Sequence, residues 1–418
     1  MLRYDGGMAE TRYDTPEPFK VDIPERALID LDERLRRWRP PPAIADGGSW
    51  ASGTDPAFLA DLVDHWRHGY EWNRCQEAIN RWPNYLVDIG PQRLHFIREP
   101  ATEVEDAPRP LPLVITHGWP GSIVEFLHII DVLAHPENHG GDPLDAFDVI
   151  VPSLPGYGFS GPPIREDGSQ GPVGPRAIAD LWHKLVTEKL NYGRPYGVQG
   201  GDWGAVVSSW LAFDHPKQDE TGVLGCHLNM MGLRPGIDLK TATLSADEQA
   251  WLGKMGSALD DKTAYQRIQA TRPQTLGVAL TDSPVGLAAW IVEKFHGWSD
   301  CGGDPLRRFP MDLLLDNIMV YWLTGTAGTA TWLYRGVTEQ VPRALPPGAR
   351  VEVPTAFAAF PADIAPVPPR EWIERAFNLR QHTVMPRGGH FAALEEPELL
   401  VEDIRKFFRP LRYGAAND

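Results

Sequence analysis

One carboxylate in the chain lies in a setting that suits a nucleophile. Asp202 is the central residue of the segment 200–204 (GGDWG), which follows the apolar run 196–199 (YGVQ) and precedes a helical pattern. Small residues on both sides allow a sharp turn that lifts the central side chain above the end of a strand. Asp is also a good helix N-cap, so capping is the alternative role for this position. The segment predicts a reactive carboxylate at the mouth of the fold.

A base and a second acid follow Asp202 in the chain. His390 lies in the segment 388–391 (GGHF), between the last predicted strand and the last predicted helix, and Asp363 follows the strand predicted at 351–354. The order nucleophile, acid, base is that of the α/β-hydrolase arrangement, although no Gly-x-Ser-x-Gly occurs in the chain. Taken singly, His390 could be structural and Asp363 an ordinary loop residue. Together, at successive strand ends, they predict a triad of Asp202, Asp363 and His390.

Backbone donors for a developing negative charge can be placed beside this triad. The segment 117–122 (HGWPGS) follows an apolar strand, and its turn can direct the Trp119 N–H into the site. With the N–H of Trp203, just after the turn, it would form a two-donor oxyanion hole. The alternative for 117–122 is a plain loop that tolerates Gly and Pro.

Composition excludes several classes of function. The 418 residues carry 40 Lys and Arg against 56 Asp and Glu, so the formal net charge of −16 disfavours nucleic-acid binding. Cys75, Cys226 and Cys301 form no Cys-x-x-Cys pair, which argues against a zinc knuckle or a disulfide framework and predicts inert thiols. No apolar run approaches the ~18 residues of a spanning helix. The chain is predicted to be soluble and cytoplasmic, with Met8 an alternative start to Met1.

The positioning elements fall into several segments. Residues 1–16 are predicted to be flexible. Residues 17–100 read as two helices, one opening near Asp22 and Pro24 and one over 56–78, followed by a hairpin around Gly90. Fully apolar strands then alternate with helices over 101–230, including a helix at 126–133, which is typical of a mostly parallel sheet covered on both faces. Residues 231–346 are mostly helical, and the α/β pattern returns over 347–418.

One glycine-rich segment is discounted as a cofactor site. Residues 156–161 (GYGFSG) match the dinucleotide fingerprint and follow a strand. However, Pro162 and Pro163 come next, so no helix opens there to hold a pyrophosphate. A tight loop beside the pocket is the better interpretation, and no cofactor or metal is predicted.

Nearly the whole chain, from about 19 to 410, resembles the microsomal-type epoxide hydrolases, which carry an N-terminal EHN segment before an α/β-hydrolase core. The core segments that carry the resemblance are 117–122, 200–204 and 387–393 (RGGHFAA). The cap segments are 265–275 (YQRIQATRPQT) and 282–290 (DSPVGLAAW). The resemblance implies an α/β-hydrolase fold with a helical cap at 231–346 and an N-terminal wrapping segment.

The resemblance also implies roles. Asp202 matches the nucleophile, His390 the base and Asp363 the orienting acid. Tyr265 and Tyr334 match two cap tyrosines that hold the epoxide oxygen, Tyr334 with less surrounding identity; cap packing is the alternative for both. The implied reaction is addition of water to an epoxide, apolar or aromatic, through an Asp202 ester. Because membrane-bound members carry an N-terminal anchor and this chain begins with a short polar lead, a soluble detoxifying relative is expected.

Two other functions stay open. A haloalkane dehalogenase-like enzyme also uses an Asp nucleophile at this strand-to-helix turn. It needs groups that donate hydrogen bonds to the halide, for which Trp119 and Trp203 are candidates. A non-catalytic ligand-binding protein can retain the same fold, usually with a triad member lost. A homodimer is one assembly that the sequence leaves open, and the physiological epoxide cannot be read from it.

Overall fold

The computed structural model describes residues 12–45, 50–218 and 220–412, with the side chains of 257–261 outside the description. The two candidate start residues and most of the predicted flexible N-terminus therefore lie outside the described residues. Nine strands are found in the described ranges: β1 (Glu17–Phe19), β2 (Asn84–Ile89), β3 (Gln92–Glu99), β4 (Leu111–Thr116), β5 (Phe147–Pro152), β6 (Tyr196–Gly200), β7 (Val223–Leu228), β8 (Val351–Ala359) and β9 (Phe377–Val384).

These strands form one sheet in the order β1-β2-β3-β5-β4-β6-β7-β8-β9. The six strands from β5 to β9 along the sheet pair in parallel, whereas β1, β2 and β3 add an antiparallel edge next to β5. Every residue of β4, β5 and β6 is buried, because helices cover both faces of the sheet. The predicted mostly parallel α/β-hydrolase sheet is confirmed.

The α-helices in the described ranges are α1 (Glu25–Arg36), α2 (Pro56–His68), α3 (Trp72–Asn80), α4 (Ile130–Ala134), α5 (Pro175–Lys184), α6 (Asp202–Asp214), α7 (Ala246–Lys262), α8 (Ala264–Thr271), α9 (Pro273–Asp282), α10 (Pro284–Trp298), α11 (Met311–Thr324), α12 (Trp332–Glu339), α13 (Arg370–Ala376), α14 (Ala392–Glu395) and α15 (Pro397–Arg412). Helices α7 to α12 lie in the chain between β7 and β8, where the sequence predicts a helical cap. The exact segment boundaries stay predictions.

The structure differs from the helix predictions in three places. The single helix expected over 56–78 is two helices, α2 and α3. Gly69 is the C-cap of α2, and a side chain at this position would collide with the ring of His65. Asp22 does not cap α1, whose N-cap is Pro24. The helix expected at 126–133 is a 3₁₀ turn at Ile123–Phe126 followed by the short α4.

The sequence pattern does not predict strand β7. Its centre holds Gly225 and His227, which break an apolar run. Contacts with α15 account for both residues. A Cβ at Gly225 would collide with Phe408 of α15, and the buried His227 lies 3.0 Å from Asp403 of the same helix. The strand is therefore specified by a helix that lies about 180 residues later in the chain.

Among the described residues, no single helix has both the length and the apolar composition of a membrane span. Helices α9 and α10 meet these two criteria only when taken together, and they are bent by 115° relative to each other. The three cysteines are buried and carry free thiols.

Candidate active site

The turn between β6 and α6 holds Asp202 in a strained backbone conformation. Its φ is 47°, in the left-handed region that non-glycine residues seldom occupy. Close packing enforces the turn, because a Cβ at Gly204 would overlap the Thr116 carbonyl and a Cβ at Gly118 would overlap the Asp202 side chain. Gly201 is the N-cap of α6, so capping is not what places Asp202 here.

The structure brings His390 between the two aspartates. Nδ1 of His390 lies 2.6 Å from Oδ1 of Asp363, and Nε2 lies 3.4 Å from Oδ2 of Asp202. The backbone fixes this approach: the His390 N–H donates to the Trp298 carbonyl at 2.9 Å, and the Ala362 N–H donates to the Gly388 carbonyl at 3.0 Å. The three predicted triad residues therefore converge, although 188 residues separate Asp202 from His390.

The charge state of His390 depends on these neighbours. Burial opposes its positive charge, but the carboxylates of Asp363 and Asp202 outweigh that effect and raise the pKa of His390 well above its ordinary value. The two carboxylates therefore favour the protonated imidazole. Loss of either negative charge would release that proton more readily.

One of the two expected backbone donors contacts the carboxylate. The Trp119 N–H donates to Oδ1 of Asp202 at 2.9 Å. The Trp203 N–H lies at the start of α6, and among the described contacts it makes no hydrogen bond to Asp202. The Trp203 indole Nε1 is buried without a partner in the described residues, and its ring meets Tyr334 edge-on at 4.8 Å.

The two cap tyrosines lie side by side, close enough to Asp202 to be affected by its charge. Tyr265 on α8 and Tyr334 on α12 are each 3% exposed, and their hydroxyl oxygens are 3.5 Å apart. The Tyr265 ring stacks on Trp119 at 5.0 Å, which ties the cap to the turn that contacts Asp202. Burial, with the Asp202 charge adding to it, raises the pKa of both phenols, so both stay protonated at neutral pH.

Further polar residues that the sequence did not single out surround this arrangement. Gln266 donates from Nε2 to the Tyr265 hydroxyl at 3.1 Å, and the ammonium of Lys294 lies 4.7 Å from the centre of the Tyr265 ring. Asn229 lines the space below Asp202 and accepts from Gln199 at 2.8 Å. Glu125 reaches the same space. Of these residues, only Gln266 could have been associated with the site from the sequence, because it directly follows Tyr265.

Among the described residues no group of three His, Cys, Asp or Glu side chains could hold an ion. The glycine-rich segment 156–161 forms a tight loop in which the Gly156 N–H donates to the Gly161 carbonyl at 2.8 Å.

The fold and the site define an α/β hydrolase with a carboxylate at the elbow. Comparison with known proteins narrows this class. Residues 16–126 match the family described as epoxide hydrolase N terminus, and residues 112–254 match the α/β hydrolase fold family.

Full-length relatives extend the match over most of the chain. An inferred epoxide hydrolase of Stigmatella aurantiaca (strain DW4/3-1) is 40% identical over 94% of this chain and 85% of its own length. Epoxide hydrolase 1 of Oryctolagus cuniculus is 36% identical over 93% of this chain and 88% of its own. The solved Aspergillus niger epoxide hydrolase is 31% identical, with a TM-score of 0.79 over 95% of this chain and 97% of that one. The chain belongs to the microsomal-type epoxide hydrolase family.

Proposed function

We propose that this protein adds water to epoxides to give vicinal diols, with Asp202 as the nucleophile. The observation that supports the proposal is that the Asp202 carboxylate lies between a base with a backbone donor and a pair of phenols. His390 and the Trp119 N–H contact Asp202 on the core side, and the paired phenols of Tyr265 and Tyr334 lie on the cap side. Each set suits one half of a two-step reaction.

In the first step, Oδ2 of Asp202 attacks one epoxide carbon from behind, and the bond between that same carbon and the epoxide oxygen breaks. Tyr265 and Tyr334 donate hydrogen bonds to the departing oxygen and supply its proton, since a free alkoxide is a poor leaving group. The proton on His390 restores the tyrosine, so the products are a neutral ester, a hydroxyl group and neutral imidazole. The net charge of the buried site is therefore the same before and after the step.

In the second step, neutral His390 removes a proton from water while the water oxygen bonds to Cγ of Asp202. Asp363 holds the imidazole in place through the 2.6 Å contact at Nδ1. The tetrahedral oxyanion faces the Trp119 N–H, with the Trp203 N–H as the expected second donor. The ester C–O bond then breaks while the remaining proton of the added water passes to the departing oxygen, so the neutral diol leaves and the carboxylate and imidazolium are restored.

Formation of the ester also prepares the base. Asp202 is one of the two charges that raise the pKa of His390, and alkylation neutralises it. The pKa of His390 therefore falls when the ester forms, so the imidazole becomes a base at the moment when one is needed. A serine at position 202 would instead give an ether, which this water could not hydrolyse.

The walls of the site support an apolar or aromatic epoxide as substrate. Trp119, Trp298, Tyr265 and Tyr334 pack ring against ring beside Asp202. Such walls bury apolar surface and offer few polar groups besides the two phenols. Cytoplasmic location and a detoxifying role stay predictions from the sequence.

A dehalogenase reaction is the second candidate, because Trp203 Nε1 is buried without a partner among the described residues. Incubation with styrene oxide and, separately, with a 1-chloroalkane distinguishes the two reactions. We expect diol from the epoxide and no chloride release. Chloride release without diol would establish the dehalogenase instead, and Asp202→Ala should abolish either product. Equal diol production by Asp202→Ala and wild type would contradict the proposed mechanism.

A further inference from the structure

Glu125 is an ionisable side chain in the active site that the reaction above does not use. It lies in the 3₁₀ turn Ile123–Phe126, four residues after Gly121, and is partly buried. Its carboxyl group makes no hydrogen bond or ion pair with any described residue. Because the side chain is only partly buried and makes none of these contacts, its carboxyl group is available to bind a water molecule in the site.

The space that Glu125 enters is small and also touches the reacting groups. It is lined by Glu125, His390, Asp202, Trp119 and Gly121, and has a volume of about 20 Å³. A polar cavity needs ~10–15 Å³ to hold one water molecule. One water therefore fits on the core side of Asp202, the side on which His390 lies.

The backbone is arranged to admit the Glu125 carboxyl. A Cβ at Gly121 would overlap the Glu125 carboxylate, so only glycine at 121 leaves room for it. Helix α11 of the cap fastens this turn, since Asn317 donates to the Pro120 carbonyl at 2.7 Å and its Oδ1 accepts from Ser122 at 2.8 Å. Glu125 is therefore held in place by its surroundings while its own oxygens stay available.

We propose that Glu125 positions the water that hydrolyses the Asp202 ester, an inference that rests on the function proposed above. The water lies in the cavity between the Glu125 carboxyl and Nε2 of His390. Its oxygen bonds to Cγ of Asp202, one of its protons passes to His390, and the other is held by Glu125. Glu125 gains and loses no bond in the step, and it acts by fixing the direction of attack.

The electrostatics agree with this assignment. Burial raises the pKa of Glu125 to about 8, with His390 lowering it and Asp202 raising it further. Once the ester forms, Asp202 has lost its charge and His390 its proton, so both contributions disappear and burial alone keeps the pKa of Glu125 raised. The carbonyl oxygen of a neutral carboxyl group can still accept a hydrogen bond from the water.

Separate measurement of the two half-reactions tests the proposal. The purified full chain is mixed with excess styrene oxide, quenched at successive times, and the alkylated protein is followed by intact mass. We expect Glu125→Leu to form the ester within about twofold of the wild-type rate and to hydrolyse it ~100-fold more slowly, since fixing the geometry of a reactant is worth effects of this size. Glu125→Gln retains a hydrogen-bond acceptor and should recover part of the loss.

Two controls make the outcomes distinct. Glu398→Gln, an exposed glutamate on α15, should leave both rates unchanged. His390→Gln should accumulate ester; if no ester appears in this variant, the proposed function fails, and the Glu125 proposal with it. If His390→Gln accumulates ester but Glu125→Leu and Glu125→Gln hydrolyse it at the wild-type rate, Glu125 does not position the water. Equal slowing of both half-reactions would likewise overturn the proposal, and if Glu125→Leu does not fold, Glu125→Gln alone decides it.

Discussion

Nε2 of His390 lies 3.4 Å from Oδ2 of Asp202, the carboxylate oxygen that the Trp119 N–H does not bind. The two oxygens of the carboxylate therefore have different neighbours. Oδ1 already faces a fixed donor, as the oxyanion of ester hydrolysis requires, whereas Oδ2 faces the base. This asymmetry underlies the predictions that follow.

Removing the charge of Asp363 should impair ester hydrolysis more than ester formation. Asp363→Asn keeps the shape but loses one of the two charges that hold His390 in place and raise its pKa. We expect kcat to fall by ~10²–10⁴-fold, as when the aspartate of a catalytic triad is neutralised, and KM to fall with it because the ester accumulates. Steady-state kinetics with intact mass spectrometry measure both effects.

Asp403→Asn is the matched control for that variant. It alters a second buried His–Asp pair, in which Asp403 lies 3.0 Å from His227. This pair is not part of the proposed active site. Here the melting temperature should drop while kcat of the folded protein stays the same. If both variants lose activity equally, the effect of Asp363 is structural.

The cap tyrosines should act in the first half-reaction. Tyr265→Phe and Tyr334→Phe each remove one donor, and their hydroxyls, 3.5 Å apart, partly substitute for each other. We expect a modest loss in each single variant and a loss of ~10²–10⁴-fold in the rate of ester formation in the double variant. Tyr85→Phe, on β2, is the control. A double variant that forms ester at the wild-type rate would remove the tyrosines from the mechanism.

Adding a methyl group at Gly204, in the turn that holds Asp202, should destabilise the protein because no space is available there. Gly204→Ala would place a Cβ on the Thr116 carbonyl, so we expect a loss of about 3 kcal/mol or more in the free energy of unfolding. Gly253→Ala, in the exposed middle of α7 with open space around it, should gain ~0.5–1 kcal/mol. Denaturant unfolding compares the two, and a tolerated Gly204→Ala would show that the turn is not held by this contact.

The raised pKa of Glu125 predicts a pH-dependent stability difference. The folded protein keeps a proton on Glu125 up to about pH 8, whereas the unfolded chain loses it near pH 4.5. The folded state binds more protons in that window, so this group's contribution to stability is fully present below pH 4.5 and is lost as the pH rises to 8. Glu125→Gln, which cannot ionise, should therefore melt progressively higher relative to wild type as the pH rises. A melting-temperature difference that is constant from pH 5 to 9 would contradict the raised pKa.

Much of the site could be predicted because its signals are local. The glycines around Asp202 and the segment that precedes Phe391 each specify a turn at the end of a strand, and the chain order supplies the rest. The pairing of Tyr265 with Tyr334 has no such signal, since 69 residues separate them and only the cap fold brings them together. Resemblance to a family, not spacing, singled them out.

Other features depend on contacts that no short pattern encodes. Strand β7 contains Gly225 and His227, and the side chains that require these two residues lie on α15. Glu125 resembles an ordinary residue of a short turn until the missing side chain at Gly121 is seen to make room for its carboxyl. In both cases the residue is explained by a partner that the fold, rather than the neighbouring sequence, supplies.

The most direct test of the central claim is a single turnover in ¹⁸O-water with enzyme in excess over styrene oxide. The account predicts that the new hydroxyl of the first diol carries ¹⁶O from the Asp202 carboxylate, and that ¹⁸O appears in the peptide containing Asp202. Label in the diol from the first turnover, with none in that peptide, would mean direct attack by water and would contradict the covalent Asp202 intermediate.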